Sequence, residues 1–195
     1  MKRTAARIAT AATLVLATPA AAETEGAHLS LRTGTLAWHV FDVSSDAPFY
    51  PRKLDDQARF VFDPGLVVAY DLPTGWEAVP HVRFTLAGYS DCAAQPAGYF
   101  GVFPMSGTLG GEHVSFSGGI GLGVALRRSW KRHVFEDHAS DTFSDWGAVE
   151  GAVGPYGELE MRLHPSDRAY ELVLNVVPGV PYLVLTTVGL RVPLG

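Results

Sequence analysis

The sequence predicts an all-β chain, folded as an eight-stranded antiparallel up-and-down transmembrane β-barrel. Three observations carry that expectation. Short segments of alternating polarity recur along the chain, and 21 glycines and 13 prolines punctuate them throughout. Beyond the N-terminal region there is no apolar run of about 18 residues, which excludes a membrane-crossing helix. One long alternating segment sends Val114, Phe116, Ile120, Leu122, Val124 and Leu126 to one face, and Ser115, Ser117, Gly119, Gly121, Gly123 and Ala125 to the other. A soluble sandwich puts its bulk inside and its polar residues outside, so the inverted pattern suits lipid outside. The same segment is no phosphate loop, since neither a Lys nor a helical period follows its glycines.

Taken in order, the period-2 stretches fall near 29–42, 59–72, 79–90, 98–106, 113–127, 147–163, 168–177 and 180–192. Eight is an even count, and the connections differ in length, as in barrels with short periplasmic turns and longer outer loops. On that basis 43–58, 91–97 and 128–146 are external, and Pro178-Gly179 is a short outer turn. The lipid-facing sets are then Leu36, Trp38 and Val40; Val82, Phe84 and Leu86; Leu159, Met161 and Leu163; and Tyr170, Leu172, Leu174 and Val176. Near the C-terminus, Thr187, Gly189, Val192 and Leu194 have the spacing of an outer-membrane assembly signal.

The first 22 residues carry Lys2, Arg3 and Arg7, a short apolar run, and Ala20-Ala21-Ala22, and read as a secretory signal peptide. A barrel domain over 23–195 follows. Losing those three cations moves the net charge from −5 to −8, which argues against nucleic acid as a partner. Cys92 is the one cysteine, so no intrachain disulfide forms. The expected location is the bacterial outer membrane, as a monomer.

Inward positions divide by height. His81, Arg83, Ser115, Ser117, Glu158, Glu160, Arg162, Glu171 and Arg191 form a charged periplasmic floor, whose members must pair with one another. Above them lie Ala37, Thr85, Ala87, Gly119, Gly121, Gly123, Ala125 and Val173. A barrel of eight strands is just wide enough for side chains to fill, so their omission predicts a slot about 15 Å deep, suited to an acyl chain.

At the outer mouth the strand directions bring together His39, Ser90 and Asp91, a combination that permits acyl transfer through an imidazole base oriented by a carboxylate. An interfacial His beside Trp38 and an ordinary Ser-Asp turn account for the same residues. Here the sequence resembles the PagP-like lipid A palmitoyltransferases, through LAWHVFD, FDPGLVVAYDLPTGW, AGYSDCAAQPAGYFGV, GIGLGVALRRSW and VGPYGELEMRLHP. The resemblance implies acyl transfer from a phospholipid donor to lipid A, with His39, Ser90 and Asp91 as the catalytic groups. It also implies that Ala37, Ala87, Gly119, Gly121, Gly123 and Ala125 line the acyl site. In that family the third-strand pair runs Asp-Ser, here reversed, and an amphipathic helix precedes the barrel, for which 23–28 leaves no room. No cofactor and no metal is expected.

Two other readings stand beside it. His113-Val114-Ser115 resembles the His-x-Ser of PagL-type lipid A deacylases, although the topology puts the pair at the inner rim. A structural or adhesion barrel would use 43–58 and 128–146 as binding loops and would have a filled interior.

Overall fold

The computed structural model describes residues 26–39, 60–90, 96–106, 108–129, 144–166, 169–179 and 183–194. The expected signal peptide, Asp91, Cys92 and most of the outer connections lie outside these residues, as do the side chains of Ala37 and His39.

Eight long strands are present: β1 (Ala27–His39), β2 (Phe60–Trp76), β3 (Val79–Ser90), β4 (Pro96–Met105), β5 (Val114–Arg128), β6 (Val149–Leu163), β7 (Glu171–Gly179) and β8 (Leu183–Leu194). Each pairs antiparallel with its neighbours in sequence. The pairing of β1 with β8, from Ala27 opposite Leu194 to His39 opposite Leu183, closes the ring. This is the expected up-and-down barrel. Two-residue strands at Leu109–Gly110 and Ser144–Asp145 extend the wall beside β5 and β6. Pro178 and Gly179, expected as a turn, instead pair with Val184 and Leu183.

The register explains where the alternation holds and where it changes. β5 and β6 pair without a break from Val114 opposite Leu163 to Arg128 opposite Val149. Between β4 and β5 the ladder is interrupted around Pro104, which has no N–H to give, while the register itself does not slip. In β1 the pairing with β8 slips between Thr33 and Leu36, at Gly34, whose φ is 68°. A glycine in the left-handed region is what such a bulge requires, and one extra residue exchanges the two faces of the strand. Below Gly34 the even positions His28, Ser30 and Arg32 are buried; above it an even position, Trp38, is exposed. The lipid-facing set expected on the first strand, Leu36, Trp38 and Val40, lies above the bulge, where Trp38 is exposed; Val40 lies outside the described residues. The short connection between β2 and β3 is held by Thr74, whose hydroxyl donates to the Val79 carbonyl and accepts from the Trp76 amide.

Polarity is inverted throughout. Ile120 is 76% exposed and Leu122 68%, whereas the side chains of Arg32, Arg83, Arg191, Glu158 and Glu160 are fully buried. In water this surface would be strongly unfavourable; in hydrocarbon it is the expected one. Aromatic residues mark the two ends, with Trp38 edge-on to Phe60 at 5.4 Å and Trp146 at the outer end, and Trp76 at the inner turn. A closed barrel of this polarity is an outer-membrane-type barrel, with the strand ends at Ala27 and Leu194 and the 77–78 turn on the periplasmic side.

Ile120 lies near the middle of β5 on the lipid face. Ile120→Arg is expected to cost about 2–4 kcal/mol, measured by reversible urea unfolding in bilayers. The same change on a water-exposed surface would stay within about 0.5 kcal/mol.

Candidate functional site

The interior is built in two layers. In the lower one, Arg83 on β3 is the hub. Its Nε and Nη2 donate to the two oxygens of Asp71 at 2.6 and 2.8 Å. Its Nη1 donates to Glu158 at 3.0 Å and to Glu160 at 2.6 Å, and its Nη2 to the other oxygen of Glu160 at 3.0 Å. Such a planar fork satisfies three carboxylates at once, which an ammonium could not. Glu158 also accepts from Thr85 at 2.8 Å, Asn175 at 3.0 Å and Arg32 at 3.4 Å. Arg191 joins Asp71 at 3.2 Å to Glu171 at 2.7 Å. Arg162 lies 3.6 Å from Glu160 and donates to Thr108 at 2.6 Å. Guanidinium and carboxylate groups thus balance across β1, β2, β3, β6, β7 and β8. The charged floor expected from the sequence is present. Arg32, Asp71 and Asn175 belong to it as well, and strand alternation below the Gly34 bulge is the clue that could have found Arg32.

In the upper layer, the glycines from which an acyl slot is expected lie in close contact with their neighbours. Gly101 and Gly123 stand opposite each other in the β4–β5 ladder, and Gly154 stands opposite Gly123 on β6. A side-chain carbon on Gly123 would collide with the Tyr156 ring, and one on Gly101 with the Phe103 ring. At Gly119 it would meet Met105 and the Pro104 carbonyl, and at Gly121 the backbone of Val102 and Phe103. Tyr99 stacks on Tyr156 with centroids 6.2 Å apart. Tyr99 also faces Ala87 and Ala125 in register, with Ala152 beyond Ala125. The small residues leave room, and neighbouring strands fill it with aromatic rings. That is how a narrow barrel reconciles taper with close packing. The upper half is also not wholly apolar: Glu150 accepts from Arg127 at 2.9 Å and from Ser129 at 3.1 Å, all three buried. No sequence feature marked Tyr99, Phe103 and Tyr156 as the filling, although each shares its strand's inward parity.

At the outer mouth, β1 and β3 both end at the same rim, two strands apart around the wall, so the backbone of His39 and Ser90 shares that end. Ser90 is half-buried and pairs with Pro96. At the inner rim, His113 is exposed and precedes the strand, so it does not share the inner face with Ser115. The partner of Ser115 is His164, with Oγ and Nε2 2.7 Å apart. Among the described residues no cluster of His, Cys, Asp and Glu could hold a metal.

Arg83→Met is expected to cost about 3–5 kcal/mol in the same unfolding measurement, because it strands buried carboxylates, with Arg83→Lys recovering only part of the loss. Gly123→Leu is expected to cost about 1–3 kcal/mol by displacing the Tyr156 ring, with Tyr156→Ala in the same chain relieving the clash.

No protein-family model and no curated protein matches the chain. Among solved structures, it is similar to Ail, the attachment invasion locus protein of Yersinia pestis. The first structure is 16% identical, covers 86% of this chain and 97% of that one, and has a TM-score of 0.44. A second, of Ail in complex with the heparin analogue sucrose octasulfate, is 14% identical, covers 85% and 96%, and has a TM-score of 0.43. Likeness at this level carries nothing about function. The closed ring, the apolar exterior and the ion-paired interior by themselves make this chain a small eight-stranded β-barrel of the bacterial outer membrane.

Proposed function

We propose that the protein is a closed, non-conducting outer-membrane barrel that serves as a rigid support for its external segments, in a structural or adhesion role. The observation that carries this reading is the filled interior. Among the described residues, a layer of paired Arg, Asp and Glu side chains lies below stacked aromatic rings, and the glycines of β5 are in close contact with the Tyr156 ring, Met105 and the backbone of β4. A rigid, ion-paired barrel suits a scaffold, and recognition chemistry then falls to the connections. The segment 128–146 carries Arg128 and Arg132 together with Trp130, Phe135 and Phe143, residue types enriched where proteins bind partners.

Acyl transfer from phospholipid to lipid A by His39, Ser90 and Asp91 is the competing reading, and one set of measurements separates the two. In planar bilayers the purified barrel should show no steady conductance. Lipid A from expressing cells should keep its mass. Cells carrying the protein should adhere to matrix-coated surfaces, and should lose that adhesion when 43–58 and 131–143 are replaced by short turns. A gain of one acyl chain on lipid A that disappears in His39→Ala would replace the support reading with the acyltransferase one.

A further inference from the structure

At the inner rim a hydroxyl, an imidazole and a carboxylate stand in line. Ser115 Oγ lies 2.7 Å from His164 Nε2, and His164 Nδ1 lies 3.0 Å from Glu171 Oε1. The carboxylate determines what the imidazole can do. Glu171 Oε2 accepts from Arg191 at 2.7 Å and lies 3.9 Å from Arg162, so the group is held as an acceptor between two cations. Nδ1 therefore donates, and in the neutral imidazole the Nε2 lone pair then faces the serine hydroxyl. That is the tautomer in which an imidazole can take a proton from serine, and such an arrangement is recognised by its geometry and not by its order in the chain.

We propose that Ser115, His164 and Glu171 form a serine-hydrolase triad at the periplasmic rim, acting on acyl esters of inner-leaflet lipids. The proposal goes beyond the support role and does not depend on it. Ser115 Oγ bonds to the ester carbonyl carbon while its proton moves to His164 Nε2. Arg162 stands directly across the β5–β6 ladder from Ser115 and is likewise buried, with its guanidinium on Thr108 and near Glu160 and Glu171. Breaking the C–O bond releases the alcohol, which takes the proton from Nε2. Water then attacks the acyl-serine and gives a proton to His164. The acid departs, and Ser115 recovers its hydrogen, so that ester and water become acid and alcohol.

Two features set the substrate and its approach. An apolar groove on the lipid face is lined by Met161, Leu163, Leu172, Leu174, Val188 and Leu190. It reaches Leu163 and Leu172, the residues adjoining His164 and Glu171 in sequence, so an acyl chain lying there brings its ester to the height of the triad. Ser115 is only 1% exposed, whereas the His164 and Glu171 side chains are 26% and 21% exposed. The triad thus meets solvent through His164 and Glu171.

The test uses the full barrel refolded in detergent, with heat-modifiable gel mobility as the measure of folding. A fluorophosphonate probe should form an adduct that peptide mass spectrometry places on Ser115 and that Ser115→Ala abolishes. Hydrolysis of p-nitrophenyl octanoate should fall by about 10²–10⁴-fold in His164→Ala. Val188→Trp, which fills the groove, should reduce turnover of octanoate and of phospholipid vesicles but not of p-nitrophenyl acetate. Folded wild-type protein that neither reacts with the probe nor hydrolyses either ester would overturn the proposal, as would hydrolysis indifferent to His164. Equal turnover of acetate and octanoate, unchanged by Val188→Trp, would overturn the lipid as substrate.

Discussion

The guanidinium of Arg83 is the point on which the interior depends. An eight-stranded ring has no room for water to solvate several charges, yet its outward face must be apolar, so the polar residues of the sequence are forced inward. Once inside, each charge needs a partner with directed hydrogen bonds, and Arg83 supplies them to Asp71, Glu158 and Glu160 together. The carboxylates come from β2 and β6, on different sides of β3 around the ring. The network thus ties together strands that never pair, and ladder hydrogen bonds, which join only adjacent strands, cannot do that. Replacing such a network by well-packed apolar residues need not weaken a protein, so what it contributes here is foremost a fixed arrangement of strands.

Above the charges the same constraint of volume is met by shape. Gly101 and Gly123 lie against the rings of Phe103 and Tyr156, and Ala87 and Ala125 flank Tyr99 in the ladder. A residue without a side chain is a vacancy in one strand and a seat for a neighbour's ring in the next. The layers are coupled, because Thr85 stands opposite Gly101 in the ladder and gives its hydroxyl to Glu158.

Much of this was legible in the sequence, and what was not has a common cause. Strand number, order and the lipid face of β3, β5, β6 and β7 follow from a period of two with lipid on one side. Alternation says which face a residue occupies, but not which residue stands across the ladder. Arg127 could be assigned inward from parity alone, while its pairing with Glu150 required the register of β5 against β6. The glycine row reads as empty because what lies against it, the Tyr156 ring, Met105 and the backbone of Val102 and Phe103, belongs to other strands. Gly34 hid a change of parity within T-G-T, so Arg32 was missed while Trp38 was placed correctly. Ser115 was paired with His113, its near neighbour in sequence, when the imidazole that reaches it comes from a connection 49 residues away.

A filled interior leaves chemistry to the ends of the barrel, and the two ends are built differently. Towards the outer end, the described charges of Arg127 and Glu150 are buried and paired with each other, and Ser129 is spent on the same carboxylate. Towards the inner end, the network runs out to the rim through Glu171. One oxygen of that carboxylate belongs to the charged floor, through Arg191; the other holds His164. The orientation of the imidazole is thereby inherited from the same ion pairs that hold the barrel together, since Arg191 is itself fixed by Asp71 and Asp71 by Arg83. A partly exposed histidine at the end of such a chain is held by a rigid support on one side and meets solvent on the other. A positioned base requires that combination, and a purely structural hydrogen bond does not.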